Sequence, residues 1–511
     1  MSKNQNQNQS WTVRGNYIAG EFRIPVESNG EIISRSPADL GDELGRFRYS
    51  YGSVDLAVAA ARAAAAKWRR TPVAARAEAL RRYQGALKRR ENELIEAIAR
   101  EVGKPLWESR TEWQAMLNKV DISLADSLKL VAPYELPKVM DNTLGACRYR
   151  PHGVMAVIGP FNFPGHLANG HIVPALATGN TIIFKPSEKS PLVGQIIAEC
   201  FHEAEVPEGV FNLVQGEREV GRRLVVHEGV DGVLFTGSYE VGTRIKQDTL
   251  QQHWKLLALE MGGKNSVIVW KDADLETALH ESLFAAFVTA GQRCSATSRI
   301  IVHEDRLQEF VDRFHQRAKA FTIGHPMDNA FMGPLIDQSS VDRYLKFQGI
   351  AAREGSELVM RGKTLELRKP GFYVTPSIVL GSDSSVATAK KSVYQQTELF
   401  APSVIILPTR DIEHSIELAN ATQYGLVSSV FTADRQTYEH CFDGLETGLV
   451  NWNKSTVGAS SKLPFGGFKK SGNHFPTAVS ASLYCTSPIA SLEVAEPKAI
   501  VPGATPGLNW S

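Results

Sequence analysis

The chain has 511 residues, 43% hydrophobic and 22% charged, with a formal net charge of +1. A chain of this length holds roughly one to four domains and has no difficulty burying a core, and its charge balance gives no reason to expect nucleic acid or an anionic membrane as partner. The five cysteines (Cys147, Cys200, Cys294, Cys441 and Cys485) are far apart, odd in number and without a CxxC pair; this argues against a disulfide framework or zinc site and favours a reducing cytosol.

Met1-Ser2-Lys3, followed by alternating Asn and Gln, lacks an apolar segment and reads as a short disordered tail rather than a secretory signal. No apolar run approaches the ~18 residues of a membrane-spanning helix. Residues 54–69 read as a helix capped by Ser53, with Ala57, Ala60, Ala61 and Ala64 on one face. Thr71-Pro72 places a capping residue before a proline at the first helical position. The spacing of Leu80, Tyr83, Leu87, Leu94 and Ile98 predicts one long helix ending near Gly103-Lys104-Pro105, and a third helix fits residues 107–130.

From Val154 the rhythm changes. Short apolar runs at 154–159, 181–184, 210–214 and 232–235 alternate with helical segments near 164–178, 190–204 and 217–227. Strands alternating with helices predict a parallel, doubly wound sheet, whose ligands bind outside the C-terminal strand ends. A second series follows Gly262-Gly263: Val267–Val269, a helix leading to Cys294, Ile300–Val302, a helix near 304–320, and Ser403–Leu407. Two such series predict two domains with a cleft between them. The tail over 497–511 carries Pro497, Pro502 and Pro506 with Gly503 and Gly507, and reads as extended or disordered.

Several strand-end loops carry residues suited to chemistry. Cys294 lies in Gly291-Gln292-Arg293-Cys294-Ser295-Ala296, where small neighbours leave room around the sulfur; it reads either as a nucleophile or as a buried structural cysteine. The loop Thr236-Gly237-Ser238-Tyr239-Glu240-Val241-Gly242 offers a helix N-terminus to a phosphate, or is a glycine turn alone. Lys185 and Glu188 could hold the hydroxyls of a ribose, the carboxylate favouring NAD over NADP, or form a surface ion pair. Asn162, in Pro160-Phe161-Asn162-Phe163-Pro164, could stabilise an oxyanion or close its own turn. Glu260 ends an apolar run, where partial burial would suit it to act as a general base; otherwise it pairs with Lys264.

Taken together and in this order, these motifs, with Glu398-Leu399-Phe400 and Pro464-Phe465-Gly466-Gly467, resemble the aldehyde dehydrogenase superfamily over residues 14–493. The resemblance implies an α/β, aldehyde dehydrogenase-like fold: two doubly wound parallel-sheet domains with a small oligomerisation extension. It implies an NAD-binding domain at 1–130 and 153–262, a catalytic domain at 263–475, an oligomerisation hairpin and strand at 131–152 and 476–496, the strand near Leu483-Tyr484-Cys485, and a tail at 497–511. Cys294 then matches the nucleophile, Glu260 the general base and Asn162 the oxyanion amide. Lys185 and Glu188 match adenosine-ribose contacts, and Gly237, Ser238, Tyr239, Glu240, Val241 and Gly242 the loop beside the pyrophosphate. Glu398 and Phe400 match contacts to the nicotinamide ribose and ring; Ala401 stands where the family pattern carries glycine. NAD is the cofactor implied and no metal is needed. The partners implied are a small-molecule substrate and further copies of the chain, as homodimer or homotetramer.

Two further stretches, Pro164–Pro174 and Val450–Lys454 with Gly458–Ser461 and Gly472-Asn473-His474, resemble one branch of that family, whose members oxidise N-succinylglutamate 5-semialdehyde in arginine breakdown. Phe475 stands where that branch tends to carry arginine. A substrate with two carboxylates needs cations or hydroxyl donors; the candidates are Lys119, His166, Arg293 and Lys454, with Ser460 and Ser461. The alternatives are another small or acidic semialdehyde as substrate, a cofactor-independent cysteine hydrolase, or a non-catalytic family member.

Overall fold

The computed structural model describes residues 11–497, with 506 and 507. The N-terminal tail over 1–10 and most of the tail expected at 497–511 lie outside the described residues. Two seven-stranded sheets organise the chain. Each is backed by its own hydrophobic core, one built from residues such as Val154, Ile182 and Leu234 and the other from Val267, Ile300 and Ile405.

The first sheet runs, from one edge to the other, Leu256–Met261, Gly232–Gly237, Val154–Ile158, Thr181–Lys185, Phe211–Leu213, Asn16–Ile18 and Glu21–Arg23. The first five are mutually parallel, and the last two join antiparallel. The parallel strands are near-continuous apolar runs because both faces are covered by helices. The second sheet runs Glu357–Met360, Ser377–Leu380, Ser403–Thr409, Thr297–His303, Asn265–Val269, Val427–Phe431 and Leu449–Trp452; only Glu357–Met360 joins antiparallel. A three-stranded extension is ordered Thr486–Glu493, Thr143–Pro151, Tyr134–Met140. No described helix is long and apolar enough to cross a membrane.

Several sequence expectations are corrected. The long helix after Pro72 is two, Val73–Arg89 and Glu91–Val102. They break at Arg90, which leaves helical geometry and whose guanidinium bonds Glu203 and Glu93 and also pairs with Glu199. Pro72 flanks the helix instead of opening it, and Thr71 closes the helix Gly52–Arg70. The third helix ends at Ala125 and tightens into a short 3₁₀ turn, Ser127–Val131. The strand expected near Leu483–Cys485 lies further on, at Thr486–Glu493. Ala481–Tyr484 is a helical turn because Tyr484 and Cys485 are buried against the first core instead of alternating in a ladder.

Candidate active site

Strand register brings the first group of residues together. Ile158 lies beside both Lys185 and Phe235, and Phe235-Thr236-Gly237 lies beside Leu259-Glu260-Met261. Asn162, Lys185, Gly237 and Glu260 therefore emerge at the same C-terminal edge of one parallel sheet, where ligands of such sheets bind. The second group comes from loops entering strands of the other sheet. Cys294 precedes Thr297–His303, and Glu398 and Phe400 precede Ser403–Thr409.

These loops are tied to each other by main-chain contacts. Gly263 N donates to Glu398 Oε1 at 2.8 Å, and Asn265 Nδ2 donates to the Cys294 carbonyl at 2.7 Å. A side chain at Gly262 would collide with the Glu398 carboxylate, its Cβ falling 1.8 Å from Oε2. Asn162 Nδ2 donates to the Gln292 carbonyl at 2.8 Å, which fixes the amide and leaves its second N–H free of that bond. The Gln292 side chain braces the loop by accepting from Ile336 N at 3.0 Å. The helix before Cys294 ends at Phe287, and the next turn places Thr289, Ala290 and Gly291 at φ of 57°, 53° and 69°. Positive φ is costly for the two side-chain-bearing residues, and such conformations cluster at functional sites. Gly291 also meets the carbonyl of Ala401 closely enough that a Cβ would lie 2.4 Å from it. The left-handed residue in the 398–401 motif is Phe400, at φ 55°, so Ala401 needs no glycine backbone.

One cavity of about 800 Å³ joins both groups. Its wall includes Asn162, Lys185, Glu188, Gly237, Ser238, Glu240, Val241, Glu260, Cys294, Glu398 and Phe400. Tyr239 and Gly242 are not part of it. The Tyr239 ring lies under Lys470, and Gly242 allows the helix Tyr239–Asp248 to pack on Met261. The size suits a dinucleotide and a small aldehyde together. Lys185 is buried, donates to the Pro186 carbonyl at 2.8 Å and stands 3.8 Å from Glu188 Oε2.

Electrostatics separate the cysteines. Cys294 is half-buried, whereas the other four are buried. Burial pushes its thiol up to about 12, with the carboxylates of Glu398 and Glu260 acting the same way and the Ser295 N–H and Arg293 opposing them. Glu260 is 5% exposed, and its Oε2 has no hydrogen-bond partner among the described residues; burial holds it well above the usual carboxylate range. Glu398 is raised to about 7 by burial, against the Gly263 N–H, Arg343 and Lys264. The alternative pairing of Glu260 with Lys264 does not form: the Lys264 ammonium lies over the Tyr394 ring, 5.1 Å from its centroid.

The expected pocket cations divide. Lys119, His166, Ser460 and Ser461 line the cavity. Arg293 does not: its guanidinium pairs with buried Glu108 at 2.8 Å and lies over the Phe163 ring. Lys454 pairs with Glu281 at 3.0 Å. Two residues without a role in the sequence reading also shape the site. His171 accepts or donates at both ring nitrogens, to the Tyr484 hydroxyl at 2.8 Å and the Thr236 hydroxyl at 3.0 Å. Asn473 bonds both Leu259 N, at 2.9 Å, and the Leu257 carbonyl, at 2.7 Å, and so seals the edge strand that carries Glu260.

The sequence that builds this site matches the model of the aldehyde dehydrogenase family over residues 25–487. The chain belongs to the aldehyde dehydrogenase family. It is similar to the N-succinylglutamate 5-semialdehyde dehydrogenase of Novosphingobium aromaticivorans, 39% identical over 93% of this chain and 98% of that enzyme. It is likewise similar to the enzyme of the same name from Erwinia tasmaniensis, 37% identical over 98% of both. Solved structures of the family superpose on it closely. An indole-3-acetaldehyde dehydrogenase of P. syringae in complex with NAD+ gives a TM-score of 0.89 at 29% identity, over 95% of this chain and 97% of that one. A 1-pyrroline-5-carboxylate dehydrogenase from Thermus with bound NAD gives 0.87 at 29% identity, over 94% and 93%. The α/β architecture with two parallel-sheet bodies is that of the family.

Proposed function

We propose that this protein oxidises N-succinyl-L-glutamate 5-semialdehyde to N-succinyl-L-glutamate with NAD as hydride acceptor, in arginine breakdown by the succinyltransferase route. The observation that carries the reading is one cavity with Cys294, Glu260 and Asn162 on its wall together with Lys185 and Glu188, in a chain 39% identical to an enzyme named for that substrate.

The residues fit a dinucleotide. Lys185 and Glu188 provide one donor and one acceptor for ribose hydroxyls. Ser238 caps the ten-residue helix Tyr239–Asp248, leaving first-turn N–H groups for the pyrophosphate. We assign Gly237, Ser238, Glu240 and Val241 to that contact, with Tyr239 and Gly242 packing the helix behind it, Glu398 to the second ribose and Phe400 to the ring beside it. The first sheet, with the helices over 52–125, is the nucleotide-binding body in this scheme, and the second is the catalytic body.

Bound in this cavity, NAD would supply the hydride acceptor for the substrate carbon. The protein performs the remaining steps. Cys294 Sγ gives its proton to solvent water and bonds the aldehyde carbon, and the C=O π pair moves onto oxygen as an alkoxide. Asn162, pinned by Gln292, presents its amide to that oxygen, and one such donor is typically worth about 10²–10³ in rate. Loss of hydride leaves a thioester on Cys294. Glu260 then removes a proton from water as its oxygen adds to the thioester carbon. The C–S bond breaks, the sulfur takes the proton that Glu260 removed from water, and the carboxylic acid leaves. Splitting one difficult step into two is the gain of the covalent route.

The test is a panel assay with NAD, comparing N-succinylglutamate semialdehyde with the semialdehydes of glutamate and succinate and with aliphatic aldehydes. Turnover of the first no faster than that of aliphatic aldehydes would overturn the substrate assignment.

We also propose assembly through the three-stranded extension. Its edge strand Tyr134–Met140 is exposed throughout, with Tyr134, Leu136, Val139 and Met140 apolar and open, and an unpaired apolar edge invites a second chain. Light scattering should give a homodimer or tetramer, and Leu136→Lys should shift it toward monomer.

A further inference from the structure

The large cavity contains a cation that the protein does not neutralise. Lys119 lies within the helix Leu106–Ala125 and is 1% exposed, yet it forms part of the cavity wall. Its Nζ donates to the Ala478 carbonyl at 2.7 Å, and among the described residues it forms no ion pair. An ammonium carries three N–H donors, so two are left over. Among other buried lysines, Lys104 pairs with Glu112 and Lys255 donates to the carbonyls of Val225 and His227, while Lys264, off this cavity, has the Tyr394 ring and the charge of Glu398. Lys185, on the same cavity, has Pro186 and Glu188. Removing an ammonium from water costs several kcal/mol unless a partner and further hydrogen bonds compensate.

A second observation marks the same corner. His166, at the start of the helix His166–Thr178, also lines the cavity. Its Nδ1 is buried without a hydrogen-bond partner among the described residues. The Lys119 charge bears on both His166 and His171, so the three groups adjoin. The corner thus holds one ammonium, imidazole nitrogens and the nearby cavity-lining Thr477, with no carboxylate paired to the ammonium. It is built as a receptor for an anion.

We propose that Lys119 is the specificity residue of the aldehyde pocket, binding a carboxylate of the substrate through its spare N–H donors, with His166 beside it. This rests on the acidic-semialdehyde reading above and names the residue that would enforce it. A carboxylate accepts through two oxygens and forms stronger, charge-assisted bonds with an ammonium than with a neutral donor. A site that presents such a cation rejects an uncharged aldehyde, because the ammonium then stays buried and unpaired.

The experiment compares wild type, Lys119→Met and Lys119→Gln, each with NAD, on N-succinylglutamate semialdehyde and on pentanal. The expected outcome is a roughly 30-fold or larger fall in the ratio of kcat/KM for the acidic over the neutral aldehyde, carried mainly by KM. Lys119→Gln keeps a donor for the Ala478 carbonyl and guards against loss of folding in Lys119→Met. An equal loss on both aldehydes, or none on the acidic one, would overturn the proposal. Calorimetric titration with N-succinylglutamate and glutarate separates this result from failure of the substrate assignment. Should wild type prefer pentanal, that assignment fails, while anion binding that weakens in both variants still supports Lys119 as an anion anchor. Equal or absent anion binding in all three proteins sinks it.

Discussion

Arg293 and Glu108 are joined at 2.8 Å, and Thr289 bonds to both. The charge next to Cys294 is thereby committed to the turn that carries that cysteine. Glu108 is fully buried, so removing its partner leaves an uncompensated carboxylate. Arg293→Met should cost about 3–5 kcal/mol of stability, read as a lower Tm, and should affect acidic and neutral aldehydes equally. A selective loss on the acidic substrate would show instead that Arg293 contacts it.

The Cys294 thiol is pushed up to about 12 by burial and by two carboxylates. A nucleophile of this kind is protonated near neutrality and reacts only through its small thiolate fraction. Alkylation of Cys294 by iodoacetamide in the nucleotide-free enzyme, followed by mass spectrometry with Cys294→Ala as control, should rise about tenfold per pH unit between roughly pH 7 and 9. A plateau inside that window would mean that the free site already stabilises the thiolate.

Glu260 is assigned to thioester hydrolysis alone. Glu260→Gln is close in size and keeps the fold. It should give a burst of about one NADH per active site and then stall. Steady turnover in this variant would remove Glu260 from the base role.

Glu188 is the carboxylate that would meet a 2′-phosphate. Arg218 and Arg222 line the same cavity. Glu188→Ser should raise kcat/KM for NADP about tenfold and lower it for NAD, by removing repulsion and a ribose acceptor together. Unchanged preference would locate cofactor selection elsewhere.

Burial lowers Lys119 to about 8. Its titratable neighbours stay neutral: burial drives His166 and His171 down to about 3, and holds Cys485 far above its usual range. Carboxylate binding requires the protonated amine, which is present below this value and lost above it. KM for the acidic semialdehyde should therefore be flat below pH 8 and climb above it, while KM for pentanal does not follow. A climb common to both aldehydes would assign the titration to another group.

Much of this was legible from residue order alone, for physical reasons. The strands at 154–158, 181–185 and 232–237 are buried on both faces, so they stand out as unbroken apolar runs, and their C-terminal ends are where Asn162, Lys185 and Gly237 lie. The strands Asn16–Ile18 through Asp39–Tyr49 did not stand out, being very short or interleaved with charge, as in Asp39-Leu40-Gly41-Asp42-Glu43. The role of Arg293 was hidden because its partner lies 185 residues away. His171 carried no role in the sequence, because its link to Tyr484 spans 313 positions.

The seal that Asn473 places on the Leu256–Met261 strand has a consequence for biosynthesis. The segment 471–473 follows every strand of the second sheet in the chain, yet it supplies bonds to the first-sheet edge on which Glu260 sits. A nascent chain that ends before this segment lacks the bonds that close the margin carrying Glu260, together with Ala481, Tyr484 and Cys485 of the first core. A product truncated before residue 471 would therefore keep Cys294 yet leave Glu260, the proposed base, on an open edge strand.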